Sequence, residues 1–272
     1  MKRRTFIKNA SLAGGLLAVS PLSFNIARPD EYEFPLMDLH VHLTNYFTID
    51  DLMKIARKTK VQFGVMVNPG YGVSDDSSLK DYIEMLRPYP VYFGLQPMTP
   101  GWSKSFSPEM IAKVDYVMMD AQTILSGNSY NDLLHIWNFD TYIDDQEKFM
   151  QVYMTHILEV INNNEPLTTF GWPLFLPVCI ARDYYTLWTD QRMQQIISAL
   201  KKKNLNIEIN DLAHTPHDKF INMAKEQGLK FAFGSDMRDQ RAGRLDYCKQ
   251  VAKKCGLKRS DFYIPERIIK TS

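Results

Sequence analysis

Seven short apolar runs, each followed by a stretch of helical periodicity, constrain this chain more than any other feature of its sequence. The runs are Pro35–Val41, Val61–Val67, Val91–Leu95, Val114–Met119, Leu167–Gly171, Leu205–Ile209 and Lys230–Phe233. Such alternation is what repeated βα units around a parallel sheet produce, so the sequence predicts an α/β barrel. The helices carry their own start and stop signals. Thr48 with Asp51 forms a capping-box pattern ahead of Leu52, Ile55 and Ala56. Ser107 before Pro108 supplies a cap and a proline at the first helical position. Phe149, Val152, Tyr153, His156, Ile157, Val160 and Ile161 follow helical spacing and predict one wide apolar face. Thr189 precedes another such helix, with Met193, Ile196, Ile197 and Leu200, and Thr215-Pro216 opens a third that stops at Gly228.

Nothing after residue 30 reads as an internal repeat, a low-complexity tract or a linker, so residues 28–272 form one expected barrel domain. Its longest loops, 68–78, 97–106 and 123–144, all follow the C-terminal end of a predicted strand, the rim on which barrel proteins carry their function. The composition, 45% hydrophobic and 23% charged, is that of a chain able to bury a large core. A formal net charge of +1 gives no basic surface for a phosphate backbone, which disfavours nucleic acid as a partner.

Residues 1–27 read as a signal peptide, with a basic start and a short, mild apolar stretch. Arg3 and Arg4 followed by Thr5, Phe6, Ile7 and Lys8 match a twin-arginine signal, an ordinary secretory signal being the alternative. No cysteine lies there to accept a lipid, so the expected product is a periplasmic protein that meets the membrane only during export. The three cysteines, Cys179, Cys248 and Cys255, are too few and odd in number for a disulfide framework. Cys248 and Cys255 share a helical face with Leu245 and Ala252 and read as core.

The strongest chemical signal is Asp38-Leu39-His40-Val41-His42 at the end of the first strand. Side chains two apart on a strand share a face about 7 Å apart, so both imidazoles can turn to the barrel axis and converge on one metal ion. Near the other end of the chain, Phe231-Ala232-Phe233-Gly234-Ser235-Asp236 is an apolar strand that breaks at glycine and delivers a carboxylate to the same rim. Two histidines and a carboxylate make a metal-ligand set, the alternative being an aspartate that caps the next turn. His214, in the loop after the sixth strand, is a candidate ligand or general base, and Arg238 a candidate contact for an anionic substrate. His135, His156 and His217 read as structural. Trp102, Tyr130, Trp137, Phe139 and Tyr142 fall in rim loops and are candidates to line a small-molecule cleft, with loop packing as the plainer reading.

The opening DLHVH and the run from Ile207 to Met237, with its Glu-x-Asn strand, helix and Gly-Ser-Asp ending, resemble the polymerase and histidinol phosphatase (PHP) family of metal-dependent phosphoesterases. That resemblance implies a distorted TIM-like barrel of about seven parallel strands and hydrolysis of a phosphate ester by metal-bound hydroxide. It also implies ligands at the ends of the middle strands, and there this chain departs from the pattern. Asn68, Gln96, Gln122 and Trp172 stand where the resemblance implies Asp-His, Glu, His and His, and Arg238 replaces a His after Ser-Asp. Neutral amides and an indole do not balance several divalent cations. The expected cofactor is therefore one ion, Zn or Mn, rather than three, held by His40, His42 and Asp236 with Asp120 or Glu208 as possible additions. Two further readings follow. An amidohydrolase-like enzyme also opens on His-x-His and closes on a strand-end Asp, though no bridging Lys or paired strand-end His is present mid-chain. A barrel that has lost catalysis and binds a small molecule or partner is the other.

Overall fold

The computed structural model describes residues 32–125 and 133–268. The expected signal segment, 1–27, and Tyr130 lie outside them. All seven predicted strands form, with ends shifted by one or two residues. They are β1 (Met37–His42), β2 (Gln62–Val67), β3 (Tyr92–Leu95), β4 (Tyr116–Met119), β7 (Thr169–Phe170), β8 (Asn206–Asn210) and β9 (Phe231–Gly234). They pair in that order as one parallel sheet. A parallel bridge between Val41 and Met237, with the amide of His42 donating to the Met237 carbonyl at 3.0 Å, brings the last strand back to the first. The result is the nearly closed α/β barrel that the alternation predicted. An antiparallel hairpin, β5 (Thr123–Leu125) with β6 (Leu133–His135), was not foreseen and occupies the loop read as irregular.

The helices start where their caps stand. Thr48 and Asp51 form the reciprocal capping box of α1 (Ile49–Thr59). The remaining helices are α2 (Asp76–Leu86), α3 (Pro108–Ile111) capped by Ser107, α4 (Gln146–Asn162), α5 (Tyr184–Leu187), α6 (Asp190–Lys203) capped by Thr189, α7 (Asp218–Glu226) and α8 (Asp246–Lys254). Two expectations are corrected. Val152 is half exposed, because the stripe that α4 lays on α6 and the barrel runs through Phe149, Tyr153, Ile157 and Val160 and leaves position 152 on its flank. The helix expected from Thr215-Pro216 begins two residues later, with His217 at its cap position. Each large apolar side chain so buried contributes about 1.5–3 kcal/mol. Cys248 and Cys255 are in the core as expected, and Cys179 is exposed.

The barrel's lower interior is plugged. Met37, Leu39, Met66, Tyr92, Tyr116, Met118 and Ala232, drawn from strands on opposite sides, form one apolar cluster. Tyr116 of β4 crosses the axis to donate its hydroxyl to the Leu39 carbonyl of β1 at 2.6 Å. Its ring fills the space over Gly64 and Gly94, where any Cβ would collide with it. The apolar plug confines polar chemistry to the other end, where the strands' C-terminal residues carry His42, Glu208, Asn210 and their neighbours.

Candidate metal centre

β1 carries an extra residue that aims both histidines inward. Asp38 pairs with Phe63 and Val41 with Val65, so three steps on β1 match two on β2. Without that bulge, Leu39 and His40 would face opposite sides; with it, Leu39 joins the plug while His40 and His42 both turn to the interior. Asp38 is left to lock the strand in place. Its carboxylate accepts from the backbone amides of Ser235 at 2.9 Å and Gly243 at 2.9 Å, tying β1 to the segment that bears Asp236. Burial pushes the Asp38 carboxyl up to about 6, against these hydrogen bonds.

His40, His42 and Asp236 meet at the mouth. Nε2 of His40 and Nε2 of His42 each lie 3.3 Å from Oδ1 of Asp236, and the three ligand atoms fall within 4.8 Å of one another. Neither Nε2 makes a hydrogen bond, although both are buried. Ligands about 2.1 Å from a tetrahedral ion stand roughly 3.4 Å apart, so the spacing suits a single cation. Two imidazoles and a carboxylate are also a donor set that Zn²⁺ or Mn²⁺ accepts. The residues present therefore fit one ion.

The other ring nitrogen of His40 is held from behind. Glu208, fully buried on β8, receives His40 Nδ1 at 2.6 Å on one oxygen and the Trp172 amide at 2.7 Å on the other. Each of its oxygens accepts one hydrogen bond, that of His40 falling on the ring nitrogen away from Asp236, which leaves Nε2 as the free face of the ring. Gly234 is obligatory beside it. A Cβ there would overlap Glu208 and stand 2.7 Å from the Cβ of His40. Burial disfavours a charged His40, yet Glu208 and Asp236 overcome this and lift its pKa to about 9. In His42 burial prevails, with His40 as a second cause, and its pKa falls. Burial would raise the Asp236 carboxyl, but the two histidines and Arg238 hold it far below the usual carboxylate range.

The middle strands are organised differently. Asn68 donates Nδ2 to both the side-chain and backbone oxygens of Gln96, at 3.0 and 2.9 Å. Gln96 Nε2 donates to Asp120 at 3.0 Å, and the other oxygen of Asp120 accepts from the Gln122 amide at 2.9 Å. Each oxygen of Asp120 thus accepts one hydrogen bond, and burial raises its pKa to about 6.

Arg238 sits at the mouth, half exposed, and spends Nη1 on Asp236, donating to Oδ1 at 2.8 Å and to the carbonyl at 2.9 Å. His214 does not join the cluster. It is exposed and its ring stacks on Tyr247 at 4.8 Å between centroids. The aromatic rim group is dispersed among the described residues: Trp102 is buried, Trp137 lies tilted against the His135 ring, and Phe139 and Tyr142 stand in solvent. Trp102 and His135 instead border a cleft of about 290 Å³ between the loops after β2 and β3 and the hairpin, with none of the three candidate ligands in its wall. Strain gathers at the rim as well. Trp172, Leu174, His214 and Asp236 all have left-handed backbone, which non-glycine residues adopt mainly where function or packing enforces it. No sequence signal announces those four conformations.

Histidinol phosphate phosphatase from Lactococcus lactis subsp. lactis, solved with zinc, L-histidinol and phosphate, superposes with a TM-score of 0.57 at 16% identity, over 87% of this chain and 98% of the phosphatase. The two share one fold. It is a barrel on which a metal-dependent phosphoesterase is built, and the sequence resemblance to that family pointed to the same architecture. A Listeria monocytogenes chain assigned as a histidinol phosphatase matches at 15% identity and TM-score 0.33, over 70% of this chain and 72% of its own. A chain of an archaeal ribonuclease P bound to mature tRNA matches at 10% identity and TM-score 0.40, over 81% and 86%. No family profile and no curated protein matches the sequence.

Proposed function

We propose that this chain is a hydrolase of phosphate esters of small molecules that works with one divalent cation, zinc or manganese, held by His40, His42 and Asp236. The observation that carries the reading is the pair of buried Nε2 atoms, each 3.3 Å from the same carboxylate oxygen and neither hydrogen-bonded. A cation bound there supplies Lewis acidity towards a phosphoryl oxygen and acidifies water near neutral pH. Glu208 keeps His40 in the tautomer that presents Nε2. Arg238, half exposed beside Asp236, contributes positive charge to an incoming anion. His214 is given no chemical step, because its ring is occupied by Tyr247.

The test is metal analysis of the purified protein followed by a panel of phosphomonoesters, amides and lactones, with His40→Ala and Asp236→Ala as controls. One ion per chain and metal-dependent cleavage of phosphomonoesters are expected, and both controls lose them. Cleavage of amides or lactones instead would select the amidohydrolase-like alternative. A protein that takes up no metal and cleaves nothing would leave the binding barrel, which the self-satisfied Asn68–Gln96–Asp120 chain favours. Residues 1–27 are proposed to direct export to the periplasm by the twin-arginine route. Replacing Arg3 and Arg4 with Lys would retain the product in the cytoplasmic fraction.

A further inference from the structure

The formal net charge of +1 conceals two ends of opposite sign. At the mouth, helices open on carboxylates: Asp50 and Asp51 in α1, Asp76 in α2, Glu147 in α4 and Asp190 in α6. At the other end, beyond the apolar plug, the chain turns into each strand, and on the arc from β8 through β9 and β1 to β2 those turns are basic. Lys201, Lys202 and Lys203 precede β8, and Arg57, Lys58 and Lys60 precede β2. Lys225 and Lys230 flank the turn into β9, and Lys258 and Arg259 lie on the C-terminal segment that follows α8. Against these ten stand three carboxylates, Glu33, Glu226 and Asp261.

Contacts between the turns join them into one face. Lys201 Nζ donates to Gln227 Oε1 at 3.1 Å, which links the turns into β8 and β9. Lys230 Nζ donates to the Ser260 carbonyl, and the Arg259 amide to the Glu33 carbonyl at 2.7 Å, which adds the C-terminal segment and the start of the barrel. The Gln62 amide, donating to the Leu36 carbonyl at 3.0 Å, carries the face on to the turn into β2. Lysines in a helix's last turn offset its macrodipole, which accounts for Lys201, Lys202 and Lys203. It does not account for Lys230, Lys258 and Arg259, which stand exposed outside the α-helices.

We infer that this basic end is a docking face for an anionic phospholipid bilayer, on which the barrel rests with its mouth turned away from the lipid. Two observations select a bilayer among anionic surfaces. The first is where the chain enters: Tyr32, whose ring lies under Lys253 Nζ at 4.4 Å, belongs to this face, so the apolar stretch of the expected export signal is tethered to it by a few residues. The second is the lack of a stacking platform. Single-stranded nucleic acid is held by aromatic rings as well as charge. The exposed aromatic side chains among the described residues, Tyr46, Tyr71, Phe139, Tyr142 and Tyr185, all follow strand ends at the mouth, and the basic face is left to recognise charge alone. The choice of a bilayer rests on the export reading of residues 1–27, and it extends membrane contact beyond export. The metal centre, at the opposite end, is independent of it.

The experiment floats the full chain with vesicles of phosphatidylglycerol and phosphatidylcholine in equal parts, and with vesicles of phosphatidylcholine alone, at low and high salt. One triple variant, Lys58→Gln, Lys60→Gln and Lys202→Gln, neutralises exposed side chains that pair with no described carboxylate. A second, Lys148→Gln, Arg182→Gln and Lys219→Gln, removes the same charge at the mouth end. Binding to the anionic vesicles should weaken about fivefold for each basic residue lost from the docking face, roughly a hundredfold for the first triple, and should fall with salt. The second triple should bind as the unmodified chain does, and neither should change zinc content or phosphomonoester cleavage. Binding that ignores salt and both triples would assign the contact to residues 1–31 and overturn the inference. Equal weakening by both triples would reduce it to net charge, and preference for duplex or single-stranded DNA over anionic vesicles would make the partner a nucleic acid; either result overturns it as well.

Discussion

The two sides of the barrel mouth solve the problem of buried polar groups in opposite ways. On the side of β1, β8 and β9, two carboxylates and two imidazoles are packed so that His40 joins Glu208 and Asp236 while both Nε2 atoms stay without a hydrogen bond. On the side of β2, β3 and β4, Asn68, Gln96, Asp120 and the Gln122 amide hand hydrogen bonds from one to the next. A cation gains on the first side, where it meets the Asp236 carboxylate and two buried Nε2 atoms that no hydrogen bond holds. On the second it would first have to break a finished chain of bonds. The contrast explains in physical terms why one ion is expected where the sequence resemblance alone would imply several.

The largest effects should follow from breaking the charged side. His40→Ala removes a ligand and strands Glu208, buried with only the Trp172 amide for company; losing one partner of a buried pair costs about 3–5 kcal/mol. Urea unfolding of the metal-free protein would read that cost, and zinc content should fall to background. Glu208→Gln retains the volume and should weaken zinc binding by roughly 10–100-fold, as loss of the group behind a ligand does. Gln96→Leu on the other side should leave zinc bound. Equal loss of zinc from Gln96→Leu and His40→Ala would erase the distinction between the two sides.

Next in size is the pH response of the amide chain. Asp120 has a folded-state pKa raised to about 6 from 3.8, with burial as the chief cause. The unfolded chain therefore releases this proton first as pH rises. The group's contribution to stability is fully present below pH 3.8 and is lost between there and about pH 6, by about 3 kcal/mol at the end of that window. Asp120→Asn should flatten the slope, at a cost of about 1 kcal/mol because an amide offers one acceptor to two donors. Thermal melts of both proteins between pH 4 and 7 check it; parallel curves would show that Asp120 is not the titrating group.

How far the mouth could be read beforehand varied with the range of the interaction. His40 and His42 were legible because an apolar strand ending in His-x-His has few other uses, and Asp236 because its strand stops abruptly at Gly234-Ser235. The bulge at Leu39-His40 was not, since MDLHVH has no irregularity to betray it; only pairing with β2 creates the extra residue. Glu208 could be picked out as an inward carboxylate from the pattern IEIN, but its role depends on a histidine 168 positions away. The hairpin of β5 and β6 was missed because three-residue strands leave no measurable alternation. His214 was read from its position after a strand, a signal that does not report the left-handed backbone and the Tyr247 ring beside it.

A gentler test tries to convert the satisfied side into the charged one. Gln96→Glu would place a new carboxylate 3.0 Å from Asp120, where the amide nitrogen now stands. Two carboxylates at that distance cannot both ionise in a buried site without a cation, so one holds a proton or a metal enters. The metal-free variant should lose about 1–3 kcal/mol, and excess zinc should restore most of it with a rise in ions bound per chain. A melting temperature that ignores zinc would mean the middle strands cannot accept an ion even when given the charge, and that shape, not hydrogen bonding, separates the two sides.

The smallest expected effect concerns Arg238, which bridges the charged side and solvent. Its Nη1 competes for Asp236 Oδ1, the same oxygen that faces both imidazoles, so it both lowers the availability of that ligand and screens its charge. Because the guanidinium side chain is 48% exposed, the pair is worth at most about 1 kcal/mol after solvent screening. Arg238→Gln should therefore tighten zinc binding by no more than about fivefold while raising KM for a phosphomonoester, the two constants moving in opposite directions. Competition titration against a chelating dye gives the first and initial-rate kinetics the second. A variant in which zinc affinity and KM are both unchanged would place Arg238 outside the working mouth and reduce it to an exposed ion pair.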